Sequence, residues 1–115
     1  MRKNFCYQLT CTVCSQTYVG ECGRFYRNRM WEHYRSVQDG NRKTAMGGHY
    51  QDVHTDINMP EVPFEHRILH TCVDYPDRLL WQSVLIKYLS PEINTQHNID
   101  RERHGGWRKN TWKIL

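Results

Sequence analysis

Two runs near the amino end of the chain have the composition of β-strands. Residues 5–11 and residues 17–21 are rich in aromatic and β-favouring side chains. The short segment between them predicts a hairpin loop. A third run, residues 64–71, follows Pro63 and alternates enough between apolar and polar side chains to predict another strand.

Helical periodicity fills the segment between the second and third strands. Residues 24–37 contain neither Gly nor Pro, and their apolar positions recur at helical spacing. We therefore predict a helix over this range, ended by the turn that contains Gly40. Residues 45–53 predict a short second helix, which Gly47 and Gly48 weaken.

The last predicted helix spans residues 78–89, with Asp77 as its N-cap and Ser90-Pro91 as its stop. Gln82 interrupts an apolar stripe that we expect to face the core, so it needs a partner or a purpose. The order β-β-α-α-β-α predicts an α+β fold, with a small three-stranded, largely antiparallel sheet flanked by helices.

The length and composition of the chain indicate a single small domain. It has 115 residues, of which 38% are hydrophobic, enough for a modest core. No apolar run reaches the roughly 18 residues of a membrane span, and the first residues lack a secretory signal. Because strand-like sequence starts almost at Met1, the domain is consistent with a piece of a longer protein. We divide it into a domain of residues 1–96 and a tail of residues 97–115.

Positive charge is concentrated in the tail. The chain has a net charge of +4, and residues 95–115 carry five of its 16 Lys and Arg but two of its 12 Asp and Glu. Cations beside Trp107 and Trp112 suit a polyanion, because cations meet phosphates and indoles stack on bases. A solvated basic end explains the same pattern.

Two pairs of residues have the spacing of zinc ligands. Cys11 and Cys14 are separated by two residues, and His49 and His54 by four. Each pair can chelate one ion from one piece of backbone. With four protein ligands the ion would be structural, and it would join the hairpin to the second helix.

Other interpretations of these residues stay open. Cys11 and Cys14 are also compatible with buried thiols or a redox pair, although thioredoxin-like pairs open a helix after a strand. The two histidines are also compatible with an ordinary surface. The remaining cysteines have no matching spacing, and we interpret them as core residues or incidental: Cys6, Cys22 and Cys72.

Four further residues form a candidate catalytic group. Arg29 and His33 are spaced i, i+4 and share a helix face, while Tyr7 and Tyr18 lie on adjacent predicted strands. Taken singly, the first pair is explained by a solvated helix face and the second by strand packing. Only their joint occurrence favours chemistry.

These residues resemble the signature of GIY-YIG endonucleases. Tyr18-Val19-Gly20 is similar to the second half of that signature, and Tyr7 stands where the tyrosine of the first half belongs, in the sequence Phe5-Cys6-Tyr7. Arg29-x-x-x-His33 matches the helix motif of the family. The resemblance is greatest to the nucleases of Penelope-like retroelements, which also carry a Cys-Cys-His-His zinc site. Their closing segment is similar to Pro91-Glu-Ile-Asn94.

The resemblance, which covers residues 5 to about 96, implies a metal-dependent DNA nickase that primes reverse transcription. Tyr7 would orient or deprotonate the attacking water, Tyr18 and His33 would support it, and Arg29 would stabilise the phosphate. Asn94 would brace the site. A glutamate on the last helix would hold Mg²⁺ or Mn²⁺. The predicted contacts with double-stranded DNA are Arg24, Arg27, Arg108 and Lys109.

The chain departs from the family at the glutamate position, which is Gln82. A neutral amide binds Mg²⁺ far less well than a carboxylate, so the chain should be impaired. An introduced, volume-matched exchange is the favoured explanation. A natural degenerate copy and a replacement by another acid stay open, although neither Glu65 nor Glu92 obviously takes the role.

The resemblance further implies a nuclear protein that is fused to or acts with a reverse transcriptase; it gives no oligomeric state. A non-catalytic, zinc-stabilised DNA-binding module is the alternative function. An interaction domain with a structural zinc and no nucleic-acid role is a third.

Overall fold

A computed structural model describes residues 3–95 of the chain. The predicted tail, with Arg108 and Lys109, therefore lies outside the described residues. None of the helices within the described range is long and apolar enough to cross a membrane.

The described residues form three strands and three main helices in the predicted order. The elements are β1 Phe5–Cys11, β2 Thr17–Cys22, α1 Tyr26–Gln38, α2 Ala45–Val53, β3 Phe64–Thr71 and α3 Tyr75–Leu89. The predicted bounds of β1, α2 and β3 are confirmed, and those of β2 and α1 are correct to within two residues. A short helical turn at residues 92–95 ends the described chain.

The three strands form one antiparallel sheet in the order β2-β1-β3, which makes β1 the central strand. In the pairing with β2, Tyr7 lies opposite Gly20 and Leu9 lies opposite Tyr18. The pairing with β3 shifts between Cys6 and Tyr7, where a β-bulge interrupts the ladder. Bulges increase the local twist of a sheet and re-aim side chains, and this one lies beside Tyr7.

The core lies on the face of the sheet that α1 and α2 cover. Alternate residues of β1 are buried there, namely Phe5, Tyr7, Leu9 and Cys11. They pack with Met30 and Val37 of α1, Met46 and Tyr50 of α2, and Phe64 of β3. Successive side chains of a strand point to opposite faces of the sheet, so one strand supplies a continuous apolar row to both helices.

Helix α3 corrects two predictions. It begins at Tyr75, because Asp74 rather than Asp77 is the N-cap and its side chain accepts a hydrogen bond from the backbone N–H of Asp77. Pro76 lies in the first turn, where its missing N–H costs nothing. The predicted core-facing stripe is buried only in part, since Leu79 and Leu89 remain 38% and 39% exposed whereas Gln82, Leu85 and Ile86 are half-buried. Helix α3 lies against β2 and β1.

Candidate functional site

Four potential metal ligands converge at one end of β1; we call Cys11, Cys14, His49 and His54 the metal cluster. Their ligand atoms all lie within 4.8 Å of one another. Cys11 ends β1 and Cys14 follows it in the hairpin loop, while α2 carries His49 and His54 is its C-cap. The cluster is therefore positioned to hold a metal ion, and it joins the hairpin to α2 as the spacing predicts.

Individual contacts pair each thiol with one imidazole. Cys14 Sγ lies 3.3 Å from His49 Nε2, and Cys11 Sγ lies 3.5 Å from His54 Nε2. Each pair has one buried member, Cys11 or His49, whereas Cys14 is exposed and His54 is half-buried. The cluster thus has a buried side toward the core and an open side toward solvent.

Tyr50 supports the metal cluster from behind. Its hydroxyl donates a hydrogen bond to the carbonyl of Pro63 at 2.6 Å and lies 3.5 Å from Cys11 Sγ. Burial raises the pKa of the Cys11 thiol, but the nearby side chains of His49 and Tyr50 oppose that effect and the pKa falls to about 5. Cys11 is thus a thiolate at neutral pH, which is the form that binds metals.

A second group of side chains meets near the middle of the sheet; we call Tyr7, Tyr18, Arg29 and His33 the Tyr7 cluster. Tyr7 Oη shares a 2.8 Å hydrogen bond with His33 Nε2 and accepts one from Arg29 Nε at 3.2 Å. The ring of Tyr18 lies 6.3 Å from that of Tyr7 and 6.0 Å from that of His33, between centroids. All four predicted residues are therefore brought together.

Burial distinguishes the members of the Tyr7 cluster. Tyr7 and His33 are fully buried, whereas the side chain of Arg29 is 25% exposed. Burial raises the pKa of Tyr7 well above its usual range, and the Arg29 guanidinium opposes that effect. Tyr7 is therefore a neutral phenol near pH 7, and since Arg29 can only donate, the phenol hydrogen is available to His33.

Gly20 allows Tyr7 to lie where it does. A Cβ atom at this position would come within 2.5 Å of the Tyr7 ring and hydroxyl, and within 2.9 Å of the Tyr18 ring. The backbone of Gly20 has no positive φ, so the need for glycine is one of space. The tyrosine of one strand thus packs directly over the glycine opposite it.

The end of the described chain is tied to β2 through the backbone of Val19. Asn94 accepts a hydrogen bond from Val19 N at 2.7 Å and donates one to Val19 O at 2.9 Å. Gln82 of α3 donates a longer one, 3.3 Å, to the same carbonyl. Asn94 and Gln82 therefore meet on the strand residue between Tyr18 and Gly20, although neither makes a described hydrogen bond to Tyr7.

The residues present do not fit a Mg²⁺ or Mn²⁺ ion beside Tyr7. Gln82 is neutral and its amide nitrogen is engaged with Val19. Glu21 and Glu32 are ion-paired with arginines. Among the described residues, the metal cluster is the only group of three or more His, Cys, Asp or Glu side chains that could hold a metal ion.

The sequence did not point to Glu32, which joins two predicted site residues. Its carboxylate accepts two hydrogen bonds from Arg24, at 2.6 and 2.7 Å, and one from Arg29 at 2.8 Å. Hydrogen bonding by Arg24 lowers the pKa of Glu32 to about 2. The spacing of Arg29 and Glu32, i and i+3, was a visible signal; the contribution of Arg24, which precedes the helix, was not.

The other predicted DNA contact among the described residues, Arg27, lies apart from the Tyr7 cluster. It is exposed on α1 and lines a shallow apolar groove of about 330 Å³ with Trp31 and Tyr34. Comparison of the chain with protein-family models, with curated proteins and with solved structures found no match.

Proposed function

We propose that the domain is a DNA endonuclease of the GIY-YIG type that carries a structural zinc and lacks its metal-binding glutamate. The observation that carries the proposal is the hydrogen-bonded chain from Arg29 through Tyr7 to His33. Phosphodiester hydrolysis needs a group that orients or deprotonates water and a cation that stabilises the phosphate. Tyr7 with His33 would supply the first, and Arg29 would supply the second.

The proton path follows from the contacts. A neutral phenol is a weak base, so Tyr7 would first pass its own proton to His33 Nε2 at 2.8 Å. The phenolate would then take the proton of the attacking water. Arg29 stabilises the resulting negative charge on Tyr7 Oη, and its exposed part is available to a phosphate. Tyr18 packs against both rings and restricts their positions.

Zinc is the metal that we assign to the metal cluster. Two thiolates and two imidazoles are a common structural zinc set, with Zn–S near 2.3 Å and Zn–N near 2.0–2.1 Å. A tetrahedron with those bonds has ligand–ligand edges of about 3.3–3.8 Å. The sulfur–nitrogen edge of that tetrahedron is about 3.5 Å. The contact between Cys11 and His54 is 3.5 Å and that between Cys14 and His49 is 3.3 Å, while all four ligand atoms lie within 4.8 Å of one another.

Gln82 also supports a second candidate function, a zinc-stabilised DNA-binding module without catalysis. The amide completes the contact with Val19 O that holds α3 against β2, so the fold does not depend on a carboxylate there. In this alternative, as in the first, the partner is double-stranded DNA. A retroelement context, a reverse transcriptase partner and a nuclear location accompany the nuclease proposal.

Nicking of supercoiled plasmid in Mg²⁺ or Mn²⁺ separates the two functions. We expect the Gln82→Glu variant to nick and the present chain to be far slower, because only a carboxylate binds such ions well. Gln51→Glu, which adds the same charge to an exposed position of α2, is the matched control and should not nick. Adding Tyr7→Phe to Gln82→Glu should slow nicking roughly 10²- to 10⁴-fold while DNA binding persists.

If Gln82→Glu binds DNA but does not nick, the nuclease assignment fails and the binding module is favoured. Binding should then weaken steeply as salt rises, because phosphate contacts release counterions. If neither chain binds DNA at low salt, both functions fail.

A further inference from the structure

A carboxylate connects the two arginines at the edge of the Tyr7 cluster. Glu32 Oε1 accepts hydrogen bonds from Arg24 Nη2 at 2.7 Å and from Arg29 Nη1 at 2.8 Å, and Oε2 accepts one from Arg24 Nη1 at 2.6 Å. The three side chains form a triad with a net charge of +1. Its members are partly exposed, Arg24 at 59%, Glu32 at 36% and Arg29 at 25%.

Such partly exposed ion pairs contribute little to stability. Solvent screens them, and ordering long side chains costs entropy. Their geometric effect is larger, because a guanidinium is planar and its donors have fixed directions. Two contacts to different groups are enough to fix the plane of Arg29.

The three nitrogens of the Arg29 guanidinium differ in their hydrogen-bond partners. Nε donates to Tyr7 Oη at 3.2 Å and Nη1 donates to Glu32 at 2.8 Å. Nη2 makes no hydrogen bond within residues 3–95. It therefore remains for a substrate, together with the second N–H of Nη1, and its direction is set by the contacts of Nε and Nη1.

We propose that Glu32 is a positioning residue that holds Arg29 against Tyr7 and leaves Arg29 Nη2 to bind the phosphodiester. This role rests on the proposed nuclease function, since it concerns the same site. Without Glu32, Arg29 keeps its charge and loses the contact that fixes its orientation. The same carboxylate also contacts Arg24, which therefore lies beside Arg29.

The first test needs no catalysis and uses the chain as it stands. In ¹H–¹⁵N NMR spectra, the Nε–H signal of Arg29 should be shifted from the signals of exposed arginines. Its hydrogen should exchange slowly with solvent, because Nε donates to the buried Tyr7 hydroxyl. Glu32→Ala should move it toward the signals of exposed arginines. Asp39→Asn is the control. It removes the 3.0 Å ion pair between Arg35 and Asp39, which is more exposed than the pair of Arg29 with Glu32, and it should leave the Arg29 signal unchanged.

The second test measures nicking in the Gln82→Glu background. Glu32→Gln, which keeps shape and loses charge, should lower kcat by up to about 100-fold, the size expected for a misplaced group. The Kd for DNA should stay the same or fall, because a negative charge near the phosphate is lost. If Glu32 only stabilised the fold, the variant would instead show a higher Kd and a lower thermal stability, and kcat would not fall independently of Kd.

The outcomes distinguish the two proposals. If the Arg29 signal is unaffected in both folded Glu32 variants, or if kcat is unchanged, Glu32 is not a positioning residue. If the signal moves and the Gln82→Glu variant does not nick, Glu32 positions Arg29 but the nuclease assignment fails. The proposal is upheld when the signal moves and kcat falls while Kd does not rise.

Discussion

The metal cluster and the Tyr7 cluster share strand β1 but are assembled differently. The metal cluster takes its four ligands as two short pairs, one from the hairpin and one from α2 and its C-cap. The Tyr7 cluster takes its side chains singly from β1 and β2 and as one i, i+4 pair from α1. The first offers four ligands that could hold a metal ion, whereas the second is a hydrogen-bonded group of two tyrosines, an arginine and a histidine.

The two clusters should contribute to different properties of the domain, the metal cluster to its stability and the Tyr7 cluster to proton transfer. An ion bound to four side chains contributes to folding, because the unfolded chain offers no preformed site. The Tyr7 cluster instead keeps polar groups buried, which adds little stability but arranges groups that can transfer protons. Changes in the two clusters should therefore have effects of different size and kind.

The largest effect should come from loss of the metal. Cys14→Ser removes one ligand of the proposed zinc, and we expect one bound zinc per chain to be lost together with several kcal/mol of the free energy of unfolding, since structural zinc sites bind with about 10–16 kcal/mol in small domains. Elemental analysis and thermal unfolding measure both.

Cys72→Ala is the control, because Cys72 is buried but outside the metal cluster. It should keep the zinc. A folded, metal-free Cys14→Ser chain with unchanged thermal stability would contradict the structural role of the metal cluster.

A smaller effect should follow from closing the space above Gly20. Gly20→Ala places a methyl group within 2.5 Å of Tyr7, and such overpacking typically costs about 1–3 kcal/mol. Urea unfolding measures the loss, and zinc content should not change. Gly48→Ala is matched to it, because its Cβ meets only a carbonyl oxygen at 3.8 Å and alanine favours the helix. Equal losses for both variants would show that Gly20 has no special packing role.

The smallest of the three effects should come from Asn94. Asn94→Ala leaves the backbone N–H of Val19 without its 2.7 Å partner, and an unsatisfied buried group costs about 1–3 kcal/mol. We expect the lower part of that range, because Gln82 still donates to the Val19 carbonyl. Hydrogen exchange at the Val19 amide measures this effect directly, and the exchange should be faster in the variant. If the amide is as well protected in Asn94→Ala as in the unmodified chain, Asn94 does not hold β2.

Much of this arrangement was accessible from the sequence, for physical reasons that differ by region. Strand β1 was predicted because strand-forming composition is a local property, and helix α1 because apolar periodicity is local too. The metal cluster was predicted because each of its pairs lies within a few residues. Helix α3 was predicted too short at its start, since Asp74 and Asp77 are both suitable caps and the choice depends on how the chain leaves β3.

Contacts between distant segments were beyond local patterns. The i, i+3 spacing of Arg29 and Glu32 gave a hint of their ion pair, but nothing in the sequence brings Arg24 to the same carboxylate. The pairing of Asn94 and Gln82 with Val19 joins segments more than sixty residues apart. The exposed apolar face of α3 was missed because periodicity marks which residues are apolar, and not what covers them.

The position of both clusters on one strand also limits how the gene can vary. Tyr7, Leu9 and Cys11 project from the same face of β1 because they lie at every second position. Inserting or deleting one codon between Tyr7 and Cys11 would turn one of them to the opposite face. The spacing between the two clusters can therefore change only in steps of two residues, so length variation should accumulate in the loops and spare this segment.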